Sequence, residues 1–141
     1  MQDIKNDRFQ GATVDYVAQE ITKIAIEKKG LDVRLYNVEA QNQITSYYIN
    51  VTGRSLTHVA SVADDIVYLA ELGGKNALHT EGSRGAGWIL VDFGDIIVNV
   101  FDKPSREFYN FDKLIGPEYE VDVTPLIEAV DLKMKTNVTE D

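Results

Sequence analysis

The sequence has no cysteine, and histidine, proline and tryptophan are scarce. Its 141 residues include two histidines, three prolines and one tryptophan. Without cysteine, disulfides and thiolate zinc sites are excluded. No apolar run approaches the roughly 20 residues that a membrane helix needs, and the N-terminus lacks the apolar stretch of a signal peptide. We therefore expect no membrane partner and a cytoplasmic location.

Positive charge is also scarce. Lysine and arginine number 14 against 23 acidic residues, which gives a net charge of −9 and a pI of about 4.6. Binding to bare nucleic acid needs a basic surface, so we expect no direct contact with DNA. An acidic protein instead attracts basic partners.

The acidic charge is concentrated near the C-terminus. From Glu118 onward there are seven acidic residues against Lys133 and Lys135, so this segment carries −5 of the −9. The length suits one folded domain. We predict a flexible N-terminus over 1–12, a domain over 13–117 and an acidic C-terminal extension over 118–141.

The strongest pattern lies at 87–101, where two apolar runs flank Gly94 and Asp95. Gly94 tolerates a positive φ, so the stretch predicts a β-hairpin with a two-residue turn. In that register Trp88 lies opposite Phe101. Side chains alternate between the faces of a strand, which gives one apolar core face. The second face, which either helices cover or another molecule contacts, holds Trp88, Leu90, Asp92, Ile97, Asn99 and Phe101.

The rest of the chain alternates helical and extended patterns. Thr13 is a suitable N-cap for the first helix and Ser55 for the second. The order α-β-β-α-β-β-β-α predicts an α/β (α+β) fold, a mixed β-sheet of about five strands with flanking helices. The step from strand 46–52 through a helix to strand 78–81 makes those two strands parallel. The other predicted elements are helix 13–29 ended by Gly30, strand 31–38, helix 105–115 ended by Gly116, and a weak helix 125–135.

Asp92 and Asp95 are the most suggestive acidic pair. Two carboxylates could hold Mg²⁺ for nucleotidyl transfer. However, ligands that converge from one strand are two residues apart, whereas these are three apart across a turn, and no third carboxylate is evident. We favour turn chemistry for Asp95 and a surface or interface role for Asp92. We expect no metal, no cofactor and no enzymatic activity, with a metal-dependent nucleotidyltransferase-like enzyme as the alternative.

Aromatic residues on the hairpin suggest a binding surface. Exposed aromatics on a rigid sheet are favoured at interfaces, although Trp88 and Phe101 could equally pack beneath a helix. The helix that follows brings Arg106 and Tyr109 close to the hairpin. The predicted partner-binding residues are Trp88, Leu90, Asp92, Asp95, Ile97, Asn99, Phe101, Arg106 and Tyr109.

Three motifs in this order resemble the bacterial ribosomal silencing factor family, also called the Iojap family. They are Asn50-Val51-Thr52-Gly53-Arg54-Ser55, then Trp88-Ile89-Leu90-Val91-Asp92-Phe93-Gly94-Asp95, then Ser105-Arg106-Glu107-Phe108-Tyr109. The resemblance covers roughly 13–116. Asn99 stands where the family usually has histidine, and Ile115 where it usually has tryptophan.

The resemblance implies a nucleotidyltransferase-like topology without a working active site. It implies binding to ribosomal protein uL14 on the large ribosomal subunit. The bound factor would block association with the small subunit and repress translation under nutrient limitation. Organellar relatives imply an alternative, a role in large-subunit assembly. A homodimer in the free state, formed through the same sheet face, is a further alternative.

Overall fold

The computed structural model of the protein describes residues 4–41 and 44–139. Part of the predicted polar loop, residues 42 and 43, lies outside the described residues. The helices are α1 (Val14–Glu27), α2 (Leu56–Leu72), α3 (Lys103–Tyr109), α4 (Phe111–Ile115) and α5 (Thr124–Thr139), with a 3₁₀ turn at Pro117–Tyr119. The strands are β1 (Leu31–Asn37), β2 (Tyr47–Gly53), β3 (His79–Glu81), β4 (Trp88–Asp92), β5 (Ile96–Asp102) and β6 (Glu120–Val121).

The strands form one mixed sheet in the order β3-β4-β5-β2-β1-β6. The pair β2–β5 is parallel, and the other neighbouring pairs are antiparallel. The predicted fold class is therefore confirmed, and the sixth strand is the two-residue β6. β3 runs in the same direction as β2, as predicted, but β4 and β5 lie between them. The parallel neighbour of β2 is β5 instead.

The main core lies between one face of the sheet and helices α1 and α2. The predicted core face of the hairpin is buried there, as are the apolar stripes of both helices. Thr13 caps α1 and Ser55 caps α2 through their side-chain oxygens, as predicted. The two caps fix where these helices begin, and their apolar stripes fix which side faces the sheet.

The turn after α1 differs in detail from the prediction. Lys29, not Gly30, has the left-handed conformation, with φ of +68°. Gly30 is packed so closely against the Val51 side chain and the Ala25 carbonyl that a side chain there would collide with them. This glycine thus lets α1 approach β2, rather than supplying a positive φ.

The N-terminal segment packs on the domain over part of the predicted flexible region. Phe9 is only 4% exposed and belongs to the main core. The amides of Asn6 and Asp7 donate to the Leu72 carbonyl at 2.8 and 3.1 Å, and the Phe9 amide donates to the Gly73 carbonyl at 2.7 Å. The prediction of a flexible segment is therefore wrong for residues 6–9, because burial of one aromatic ring holds them at the end of α2.

The described part of the acidic C-terminal segment also belongs to the fold. β6 pairs with β1, and α5 packs along α1 with Val130 at 2% exposure. Lys133 Nζ lies 3.1 Å from Glu27 Oε1 across this helix pair. The predicted division into a domain and a separate extension at 117 does not match these contacts. No helix in the described residues is long and apolar enough to cross a bilayer.

Candidate docking surface

The hairpin has the predicted register. Trp88 pairs with Phe101, Leu90 with Asn99 and Asp92 with Ile97. Gly94 at the turn has φ of +92°, a value that L side chains rarely adopt. The register fixes which residues share the second face of the sheet.

The turn hydrogen bond predicted for the Asp95 side chain is made by Asp92 instead. Asp92 Oδ1 accepts a 2.7 Å hydrogen bond from the Gly94 amide, so Asp92 supplies the turn chemistry. The oxygens of Asp95 lie 2.8 and 3.0 Å from Lys75 Nζ, so Asp95 forms an ion pair. Among residues 4–41 and 44–139, no group of three or more histidine or acidic side chains is placed to hold a metal ion.

The second face of the hairpin is half covered. Trp88, Leu90 and Asp92 on β4 are partly exposed, with their side chains on the same face. On β5, by contrast, Ile97 is 8% exposed and both Asn99 and Phe101 are 0% exposed. The three β5 residues predicted to bind a partner therefore have almost no surface to offer one.

The cover is a corner formed by α3 and α4. The sequence predicts one continuous helix here, but Asn110 has left-handed dihedral angles, φ 48° and ψ 47°, and divides it. Asparagine adopts this conformation more readily than most residues. The break turns α4 over the sheet, where Phe111 packs edge-on against Tyr48 at a ring-centroid distance of 5.4 Å. The prediction of a single helix is therefore wrong. The break was missed because the helical spacing of apolar residues continues through it.

Aromatic rings join the hairpin to this corner. The Trp88 ring centroid lies 5.1 Å from Phe101, 4.8 Å from Tyr109 and 6.0 Å from Phe111. Phe108 contacts Tyr109 in turn at 5.0 Å. Trp88 thus packs beneath the corner, as one of the two alternatives predicted, and is still partly exposed, so its role in binding stays a prediction.

A row of hydrogen bonds crosses the sheet beneath the rings. Trp88 Nε1 donates to Asn99 Oδ1 at 3.0 Å, and Asn99 Nδ2 donates to Asn50 Oδ1 at 3.1 Å. Asn50 Nδ2 then donates to Asp112 Oδ1 at 3.0 Å. Asn50 and Asn99 are direct register partners in the parallel pair β2–β5. We refer to Trp88, Asn99, Asn50 and Asp112 as the polar row.

Asp112, at the end of the polar row, also accepts hydrogen bonds from Tyr36 and Arg106. Its Oδ1 accepts from the Tyr36 hydroxyl at 2.7 Å and from Arg106 Nη2 at 3.0 Å. Its Oδ2 accepts from Arg106 Nε at 2.9 Å. The second guanidinium branch donates to the Asp32 carbonyl and to Thr52 Oγ1, at 2.6 and 2.9 Å. Arg106 was predicted to bind a partner, but it is 7% exposed and holds the corner on the sheet instead.

The ionisation of this cluster follows from these contacts. Burial acts to raise the pKa of Asp112, but hydrogen bonds from Arg106, Asn50 and Tyr36 outweigh it and lower the pKa to about 2. Burial, and then the bond to Asp112, raise the pKa of the Tyr36 hydroxyl well above its usual value. At neutral pH the site therefore holds a carboxylate and a neutral phenol.

The exposed part of the site is apolar. Phe108 is 81% exposed and Tyr109 is 53% exposed, and the Tyr109 ring contacts Trp88, a partly exposed residue of β4. Trp88 and Leu90 also line a hollow of about 200 Å³, together with Glu81 and Gly82. A contiguous patch of exposed apolar side chains, unlike a single one, is a common feature of protein interfaces. We define the docking surface as Trp88, Leu90, Asp92, Phe108 and Tyr109.

The sequence pattern missed several residues of this site. Phe108 lies in a motif of the sequence beside Tyr109, but nothing in the pattern distinguishes its exposed ring from a buried one. Asp112 and Tyr36 carry no local signal, because their contact depends on the break at Asn110. Asn50 lies in a motif of the sequence, but its pairing with Asn99 follows only from the neighbouring positions of β2 and β5 in the sheet.

Comparison with known proteins identifies the family. The model for the family "Ribosomal silencing factor during starvation" matches residues 12–141. A ribosomal silencing factor from Halalkalibacterium halodurans is 30% identical over 113 residues, which cover 77% of this chain and 97% of that protein. One from Bacillus subtilis is 33% identical over 102 residues, covering 70% and 86%.

A solved structure supports the same assignment. The crystal structure of a Chromobacterium violaceum protein superposes with a TM-score of 0.65 at 30% identity, covering 70% of this chain and 86% of that chain. The family match begins at residue 12 and continues to the end of the chain, so it includes β6 and α5. The chain belongs to the ribosomal silencing factor family.

Proposed function

We propose that the protein binds ribosomal protein uL14 on the large ribosomal subunit and sterically prevents the small subunit from joining. Family membership supports this role, which represses translation under nutrient limitation in the cytoplasm. The observation on this chain that carries the proposal is the exposed aromatic pair Phe108 and Tyr109 beside Trp88. Aromatic side chains dominate the energy of many protein interfaces.

Charge favours the same kind of partner. With a net charge of −9, the protein attracts a basic ribosomal protein and is repelled by exposed ribosomal RNA. On the docking surface, Asp92 is a partly exposed carboxylate next to apolar groups. One of its oxygens accepts from the Gly94 amide, and we expect the carboxylate also to pair with a lysine or arginine of the partner at the rim of the contact.

The proposed role is that of a binding protein without catalysis. Both candidate carboxylates are already engaged, Asp92 by the turn amide and Asp95 by Lys75. Titration with Mg²⁺ and nucleotide tests the enzymatic alternative. Saturable binding that Asp92→Asn abolishes would support a nucleotidyltransferase-like enzyme and contradict the proposal.

Phe108→Ala gives the most direct test of the docking surface. Because this ring is 81% exposed, its removal leaves the free energy of unfolding nearly unchanged. We expect binding to purified large subunits to weaken about tenfold or more, and subunit joining to recover in a light-scattering assay. Trp88→Ala weakens binding as well, without unfolding the domain.

Tyr68→Ala serves as the control, because Tyr68 is 47% exposed on α2, on the other side of the sheet. It should bind like the unmodified protein. If Phe108→Ala binds equally well, or if both variants lose binding alike, the docking surface is wrong. Light scattering of the free protein separately tests the homodimer, which Phe108→Ala would weaken if the same surface formed it.

A further inference from the structure

Two elements that carry or flank the docking surface are too short to hold their own positions. α3 has 7 residues and α4 has 5. Helices of this length are not stable in isolation. Phe108 and Tyr109 end α3, so their position depends on what attaches the corner to the sheet.

Asp112 provides that attachment through three separate elements. Its carboxylate accepts hydrogen bonds from Tyr36 on β1, from Asn50 on β2 and from Arg106 on α3. The side chain of Arg106 is 8% exposed and that of Asp112 is 18% exposed. A shielded ion pair with this many satisfied bonds fixes geometry more strongly than a surface pair does.

We propose that Asp112 is a positioning residue for partner binding, which holds the α3–α4 corner so that Phe108 and Tyr109 stay beside Trp88. The inference rests on the proposed function and extends it to a side chain that lies beneath the docking surface. In Asp112→Asn the ion pair is lost, and the remaining acidic neighbour of Arg106 is Asp32, at 3.8 Å. One neutral amide oxygen then replaces the two charged oxygens that accepted from Arg106, Asn50 and Tyr36. The corner then exchanges between the closed state, in which α3 and α4 pack on the sheet, and open states in which they do not.

A smaller population of the closed state lowers the affinity for the partner. A protein whose binding-competent state is partly populated binds with an affinity reduced by the populated fraction. The surface residues are the same in both states, so the loss arises from preorganisation and not from a missing contact.

The polar row connects Asp112 to an optical reporter. Three hydrogen bonds of 3.0, 3.1 and 3.0 Å lead from Asp112 through Asn50 and Asn99 to the indole of Trp88. Trp88 is the single tryptophan of the chain. When the corner opens, the rings of Tyr109 and Phe111 leave the indole, water reaches it, and its fluorescence emission moves to longer wavelength.

The test compares Asp112→Asn with Asp64→Asn. Asp64 is a matched carboxylate on α2, 69% exposed and paired with Arg84 at 3.1 Å. For Asp112→Asn we expect retained circular dichroism, a red shift of Trp88 emission and an affinity for purified large subunits about tenfold lower, as when one molecule in ten keeps the corner closed. Asp64→Asn should change neither the emission nor the affinity.

Tyr36→Phe removes one of the hydrogen bonds to Asp112 and should give intermediate changes in both measurements. It also keeps the test decisive if Asp112→Asn does not fold. Unchanged affinity in these variants overturns the proposal. So does weaker binding with unchanged Trp88 emission, because that pattern indicates direct contact with the partner. If the unmodified protein does not bind large subunits, the proposed function fails, and the positioning role fails with it.

Discussion

At the scale of single residues, the Asp112 carboxylate also makes stability depend on pH. Its pKa is about 2 in the folded protein against 3.8 for the free group. A depressed folded pKa contributes stability that is present above about pH 4 and is lost as the pH falls toward 2. The shift corresponds to a free energy on the order of 2 kcal/mol.

Urea unfolding at a series of pH values measures this contribution. The free energy of unfolding of the unmodified protein should exceed that of Asp112→Asn at pH 7, and the difference should shrink below about pH 4. A difference that stays constant down to pH 2 would contradict the lowered pKa of Asp112.

Residue-scale roles were the least predictable part of the site. The pairing of Trp88 with Phe101 followed from the turn, because a two-residue loop fixes every cross-strand pair. The roles of Asp92 and Asp95 did not, because both are near the turn and only three-dimensional geometry shows which one reaches an amide and which one reaches Lys75. Arg106 looked like a surface residue for the same reason, since its acceptors lie on β1, β2 and α4.

At the scale of elements, Asn110 decides the shape of the docking surface. Its φ of 48° lies in the left-handed region, where most L residues pay roughly 1–2 kcal/mol. Asn110→Ala should therefore lower the free energy of unfolding by about 1 kcal/mol and weaken partner binding. Asn110→Gly, which accepts this conformation freely, is the matched control and should stay within about 0.5 kcal/mol of the unmodified protein.

Urea midpoints together with large-subunit affinity measure both effects. If alanine and glycine at position 110 behave alike, the left-handed break is not what positions α4.

Local patterns predicted the regular elements well where capping, periodicity and turns agreed, as for α1, α2 and the hairpin. They failed where a distant contact decided the outcome. The ring of Phe9 fixes an N-terminal segment that looks polar, and α5 is held by Val130 against α1 although its own apolar pattern is weak. Such contacts have no signature within a short window of sequence.

At the scale of the whole molecule, the C-terminal segment should be needed for stability. A chain ending at residue 117 loses β6 from the edge of β1 and uncovers the face of α1 beneath Val130. Burying one such side chain contributes about 1.5–3 kcal/mol, so we expect a clearly lower melting temperature and more aggregation through the exposed strand edge.

Differential scanning calorimetry and size-exclusion chromatography check this expectation. Val130→Ala should reproduce part of the loss, and Glu128→Ala, at an exposed position of the same helix, should not. Full stability of the shortened chain would contradict this expectation and support a domain boundary near residue 117.

The central position of the β2–β5 pair has a consequence for how the protein folds during its own synthesis. Tyr47 on β2 pairs with Ile96 on β5, so the middle of the sheet joins residues far apart in the chain. Leu35 on β1 pairs with Val121 on β6, which is the last strand to be synthesised. Contacts between distant residues slow folding, because the loop between them must close first. The nascent chain therefore carries an open β2 edge until β5 has left the ribosomal tunnel, and the sheet is complete only when β6 has followed.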